Sequence, residues 1–170
     1  MNRQQAFFAR FCSDIQPGTL DWIGVRPARR EAMLVVDEVM ALENLGLEGD
    51  RRCNGTPGSA RQVSLINAEH IEVVAKILGK GPIDPGLLRR NLVISGLNLQ
   101  AIRYQKFQIG EAIFEATALC HPCTRMDKNL GTGGHAAMLG HGGLCAKVLR
   151  SGVIRVGDSL KVLPEVSEDI

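Results

Sequence analysis

Cys120-His121-Pro122-Cys123-Thr124-Arg125-Met126-Asp127 gathers a pair of thiols, an imidazole, a guanidinium and a carboxylate into one short stretch of chain. The thiolate is the form of cysteine that attacks electrophiles and ligates metals, and a neighbouring cation favours it. His121 and Arg125 stand on either side of Cys123 and can supply that field. Pro122 fixes its own φ and has no amide donor, so it stiffens the turn that holds Cys123 and argues against a strand running through it. Asp127 and His121 carry the groups that could manage protons beside such a sulfur.

The spacing alone leaves several chemistries open. Cys-x-x-Cys serves redox pairs, but those open a helix after a strand, and the segment from Thr124 to Gly134 does not read as a long helix. Structural zinc takes four ligands, usually from a pair of such motifs, and a single motif is present. Unpaired cysteine also packs as a small hydrophobe, which would leave Cys120 as a strand-end residue and Cys123 as a loop thiol without a role.

The chain that must position these residues has 170 of them, enough for one domain with a short appendage. Hydrophobic residues make up 45% and charged residues 22%, the balance of an ordinary globular core and surface. A net charge of +2 gives no global argument for nucleic acid or membrane, and aromatics at 4% supply poor stacking platforms for single strands. No apolar run approaches the roughly 18–20 residues of a membrane span. Five scattered cysteines without a signal-type leader point to cytoplasmic thiols.

Residues 1–20 read as a leader, frayed or packed on the body through its phenylalanines, with Gln16-Pro17-Gly18 as the break. The main domain is expected over 21–170. Trp22 to Val25 and Met33 to Val39 read as strands, with Arg26, Arg29 and Arg30 in the basic loop between them. Arg61 to Ile66 alternates as a strand and ends at Asn67, a good helix N-cap. Ile71, Val74, Ala75 and Leu78 then mark the apolar face of the clearest helix, closed by Gly79. Arg89-Arg90-Asn91 leads into an apolar strand, a rigid element from which side chains can be aimed at a ligand. Ile109-Gly110-Glu111 and Val156-Gly157-Asp158 look like corners of a closed or strongly curved sheet. The glycine-rich run from Gly131 to Gly143 reads as a mobile flap whose His135 and His141 match no zinc spacing. Six or seven short strands with one good helix and short peripheral ones predict a mainly β, barrel-like domain.

Trp22 to Arg30, Gly-Leu-Glu-Gly-Asp-Arg at 46–51, Arg-Arg-Asn-Leu-Val-Ile-Ser-Gly at 89–96, Ile-Gly-Glu at 109–111, Cys-His-Pro-Cys at 120–123 and Gly-x-Ile-x-Val-Gly-Asp at 152–158 together resemble a stand-alone MOSC domain. That family takes its name from the C-terminal domain of molybdenum cofactor sulfurases. The resemblance covers about residues 21–163 and implies a β-barrel-rich fold and a bound molybdenum–pterin cofactor (molybdopterin). Carried across by motif, Cys123 resembles the thiolate that ligates molybdenum. Arg89 and Asn91 resemble the pair that grips the pterin and its phosphate. Arg51 and Arg26 match phosphate-side cations, and Arg61 is a further candidate. Pro27 departs from the Lys-Ser pair of the reducing enzymes.

Within the family, some members reduce N-hydroxylated compounds and others receive or hold the cofactor during sulfuration. The resemblance therefore implies a reductase of N-hydroxylated small molecules, with a non-catalytic sulfur or cofactor carrier as the alternative. No iron–sulfur domain follows in this sequence and no pyridoxal-phosphate half precedes, so the expected partner is a separate electron-transfer protein or a cysteine desulfurase. Neither nucleic acid nor membrane is expected as a partner.

Overall fold

Eleven strands form among residues 1–164, the part of the chain that the computed structural model describes. They are β1 (Gly18–Val25), β2 (Leu34–Val36), β3 (Glu38–Leu42), β4 (Gly46–Leu47), β5 (Val63–Asn67), β6 (Leu92–Ser95), β7 (Lys106–Ile109), β8 (Ala112–Leu119), β9 (Leu144–Arg150), β10 (Gly152–Arg155) and β11 (Ser159–Val162). Four short helices accompany them: α1 (Arg3–Ala9), α2 (Ala68–Ile77), α3 (Arg125–Leu130) and α4 (Gly134–Met138). The excess over the six or seven expected strands has local causes. The apolar run from Met33 to Val39 is not one strand: Asp37 separates β2, which pairs with β1, from β3, which pairs with β10. Gly46–Leu47, too short to show a strand pattern in the sequence, adds β4 by pairing with β3.

The order β11-β7-β8-β9-β5-β6-β1 closes into a barrel because β11 also pairs with the start of β1, with Gly18 opposite Leu160 and Thr19 opposite Ser159. Register shifts in β1 and β8 supply the bends that closure needs. Gly110 turns the β7–β8 corner at φ +53°, where a Cβ would stand 2.5 Å from the Asp158 carboxylate. Small β3, β4 and β10 form a second sheet whose Ala41, Leu47 and Ile154 join the barrel core. Inside the barrel Phe107 and Phe114, cross-strand partners, stack at 5.4 Å.

β5 and β6 are the one parallel pair, which requires a crossover, and α2 provides it. Both strands are therefore buried on both faces. Leu65, Leu92 and Ile94 point into the barrel, while Ile66 and Val93 meet Ile71 and Val74 of α2 outside it. The apolar face expected for α2 is thus the one that packs. Asn67 does not cap α2 with its side chain. It is buried, donates to Leu97 O at 2.6 Å and accepts from Leu99 N at 3.0 Å, so it ties the end of β5 to the loop after β6.

Ahead of the barrel, α1 opens with a capping box between Asn2 and Gln5, and β1 starts at Gly18. Phe8 of α1 lies edge-on to Tyr104 at 5.8 Å. The Gly131–Gly143 run is not an open flap: it contains α4, and Ala137 and Met138 are buried against Leu88, Val93 and Met126. The expected domain limit at 170 lies outside the described residues. Among the described residues no helix is long and apolar enough to cross a membrane.

Candidate functional site

A cavity of about 260 Å³ opens where several strand ends meet. Arg26 follows β1, Arg61 and Gln62 precede β5, and Arg89 and Arg90 precede β6. These ends share one rim because β1 runs antiparallel to β6 and β5 runs parallel to it. The 3-10 turn Arg51–Asn54 adds Arg51 and Arg52, and the loop after β8 adds Cys120, His121, Cys123 and Arg125. Among the described residues, seven arginines and no carboxylate line the cavity. The Arg89 guanidinium loses basicity, first through partial burial and then through the like charges of Arg125, Arg26 and Arg51. Such a crowd of cations suits an anion, and guanidinium forks match the oxygens of a phosphate.

Two of these cations are held rigidly from beneath. Asp50 is 1% exposed and accepts from Arg26 Nε at 3.1 Å, Arg26 Nη2 at 3.2 Å, the Arg26 amide at 2.9 Å, the Arg52 amide at 3.0 Å and Asn91 Nδ2 at 2.9 Å. Burial by itself would raise the Asp50 carboxyl, but the hydrogen bonds and charge of Arg26 outweigh it, and the net direction is down. Arg90, 6% exposed, has no carboxylate partner among the described residues. It donates to the carbonyls of Gly142 at 2.8 Å, Leu88 at 2.9 Å and Cys120 at 3.3 Å. Its charge is therefore aimed but not neutralised. Gly142 lets this happen, since a Cβ there would lie 2.1 Å from the Cys120 carbonyl.

Three thiols reach the cavity: Cys120, Cys123 and Cys145. Cys123 is exposed, and its carbonyl accepts from Met126 N at the start of α3. Cys120 and Cys145 come from adjacent strands, where Ala118 faces Cys145 and Cys120 N bonds Gly143 O. A hydrogen bond from the Cys145 thiol, with the charges of Arg90, Arg26 and Arg61, overcomes burial and holds the Cys120 thiol below its ordinary value. Cys145 is pushed the other way by the same hydrogen bond and by burial. Alkylation of Cys120 by iodoacetamide, followed residue by residue by mass spectrometry, is expected to reach half its plateau rate at a pH below that of a free thiol, while Cys145 stays unreacted. A Cys120 profile centred near pH 8.5, the value of a free thiol, would show that the cations and Cys145 do not act on it.

Of the residues singled out in the sequence, Arg26, Arg51, Arg61, Arg89, His121 and Cys123 all line the cavity. Asn91 and Asp127 do not. Asn91 is fully buried and, besides its bond to Asp50, donates to Gly24 O and accepts from Ser64, so it braces the cluster under Arg26. Asp127 accepts from His135 N at 2.9 Å and joins α3 to α4. His141 lies edge-on to His70 at 5.2 Å, away from the cavity lining. Arg52, Arg90, Arg125, Cys120, Cys145 and the Asp50 buttress complete the site.

Residues 50–161 match the MOSC domain family. No curated protein matches. Among solved structures, the chain is similar to the YuaD protein from Bacillus subtilis, at 18% identity and a TM-score of 0.73, over 86% of this chain and 96% of that one. It is also similar to YiiM from Escherichia coli, at 23% identity and a TM-score of 0.68, over 90% of this chain and 72% of that one. For YiiM from Geobacillus stearothermophilus the identity is 18% and the TM-score 0.69, over 91% and 79%. At such identities these likenesses speak for the shared fold alone. The family match is broader in meaning: it begins at Asp50, takes in the rim of β5 and β6 and all three cavity thiols, and runs to the strand that closes the barrel, so this chain belongs to the MOSC domain family.

Proposed function

We propose that the chain binds a molybdenum–pterin cofactor in the arginine-lined cavity and reduces N-hydroxylated small molecules with electrons from a separate redox protein. One observation carries this reading: the exposed Cys123 opens on a cavity that, among the described residues, is lined by seven arginines and no carboxylate. The donor set fits the group. Guanidiniums suit its phosphate, and a soft thiolate suits molybdenum. When bound, the cofactor would supply a centre able to exchange an electron pair with an N–O bond.

The chain's own residues have separable tasks. Cys123 would hold the metal. Arg51, Arg52 and Arg61 would meet the phosphate as free forks, while Arg26 and Arg90, already engaged, would set the field and the shape. Breaking an N–O bond and releasing water consumes an electron pair and a pair of protons. His121, exposed on the cavity wall, is the group placed to pass protons, because Asp127 is spent on the α4 amide.

A carrier role draws on a different observation, the exposed Cys123 and the lowered thiol of Cys120 on one cavity, either of which could hold a sulfane sulfur delivered by a cysteine desulfurase. Turnover separates the two readings. Protein made in a host competent for the cofactor should reduce a hydroxylamine when given a reduced viologen dye. Cofactor retained with no amine formed would sink the reductase and leave the carrier.

A further inference from the structure

Next to the cavity lies a larger groove of about 760 Å³, walled by the segment from Arg30 to Val35 on one side and by the 3-10 turn Pro85–Leu88 and α3 on the other. The two hollows share Arg89 and Arg125. Lys128, one turn along α3 from Arg125, and Arg30 bring further positive charge to the groove. None of these four cations is in an ion pair among the described residues. Of the two acids at the groove, Asp84 is turned to capping, its Oδ1 accepting from Gly86 N at 2.9 Å. Glu31 leaves the local balance positive, and its carbonyl receives the Arg89 guanidinium.

Thr124 and Asn129 add polar groups, and the remaining side chains of the wall are apolar and open to solvent. Val35 is 63% exposed and Leu87 42%, and Met33 sits with them in the groove. Apolar side chains left in water beside unpaired cations suit a ligand with a flat greasy body and a compact anionic end. The volume is that of a small-molecule site. The shared arginines make the groove continuous with the cavity, so a molecule lying in it would present one end to the Cys123 sulfur.

We propose that this groove binds an organic monophosphate with a flat apolar body, and that it selects such anions as substrates for the neighbouring cavity. The phosphate meets Arg30 and Lys128, the body crosses Met33, Val35 and Leu87, and the far end passes between Arg89 and Arg125. This rests on the reductase reading for the word substrate, but not for the binding itself.

Titration calorimetry with phenyl phosphate, inorganic phosphate and phenol tests it on the full chain. Phenyl phosphate is expected to bind at least about tenfold more tightly than either fragment. In full chain produced without the cofactor, Lys128→Glu and Val35→Asp, both on exposed positions, should each weaken phenyl phosphate by about tenfold and leave inorganic phosphate, which the open first cavity would take, unchanged. Unaltered circular dichroism and melting would confirm that the variants fold. Phenyl phosphate binding no tighter than inorganic phosphate, or indifferent to both substitutions, overturns the inference. Arg51→Glu separates the two proposals: if it spares inorganic phosphate and molybdenum content while the groove variants behave as expected, the cofactor reading falls and the groove stands.

Discussion

Cys123→Ser, produced in a cell that makes the molybdenum cofactor, is expected to carry more than about tenfold less molybdenum than the unaltered chain. Losing even an outer-shell partner of a bound metal commonly costs 10–100-fold in affinity, and a direct ligand should cost no less. Serine keeps the backbone geometry, in which the Cys123 carbonyl accepts from Met126 N at 2.9 Å. It sits at an exposed position, so stability should stay within about 0.5 kcal/mol. The substitution thus removes a soft ligand and almost nothing else. Metal analysis beside a melting curve decides the matter: full molybdenum in the variant would move the ligand to another sulfur. Cys120 is then the next candidate, as a low thiol on the same cavity, and Cys120→Ser would have to show the loss that Cys123→Ser did not.

What could be read from the chain before any coordinates was whatever sits close together along it. Cys123 with its flanking His121 and Arg125 is a local cluster, and the strand-leading arginines announce themselves as charge before an apolar run. Cys145 is different. It lies inside an apolar strand and looks like a small hydrophobe; only the β8–β9 register, with Ala118 opposite Cys145, turns it into a partner for Cys120. Arg90 was passed over between Arg89 and Asn91 because alternation does not say which side chain will find carbonyl partners at Gly142 and Cys120, more than 20 residues away. Asn91 shows the reverse case. Its place in the motif suggested ligand contact, but a buried amide must satisfy its donors and acceptors, and Asp50, Gly24 and Ser64 do so. The glycines from 131 to 143 suggested mobility, and the Ala137-Met138 pair that pins the segment was too short a signal to outweigh them. Barrel closure rests on β11 meeting β1 across the whole chain, a pairing with no local trace.

The same buried cluster sets the second large effect. Asp50→Ala is expected to cost about 3–5 kcal/mol, because it strands the Arg26 guanidinium and the Asn91 amide in a space from which water is nearly excluded. For a chain of this size that corresponds to a melting point lower by roughly 6–20 °C. The loss has a pH signature. The folded-state carboxyl lies below its ordinary value of 3.8, so its contribution is complete above that value and is lost as pH falls through the lower folded one. The gap between the unaltered chain and Asp50→Ala should therefore be widest near neutrality and shrink on acidification below about pH 4. Arg26→Met combined with Asp50→Leu removes both charges together and should recover part of the loss, since an apolar replacement of a buried pair is often neutral. A stability gap that stays constant from pH 7 to pH 3, or an Asp50→Ala variant within about 1 kcal/mol of the original, would mean that the carboxylate is not the buttress of the rim. The cluster also ranks the arginines: with its charge shared with Asp50, Arg26 contributes less to holding an anion than Arg51 and Arg52, whose guanidiniums have no carboxylate partner among the described residues.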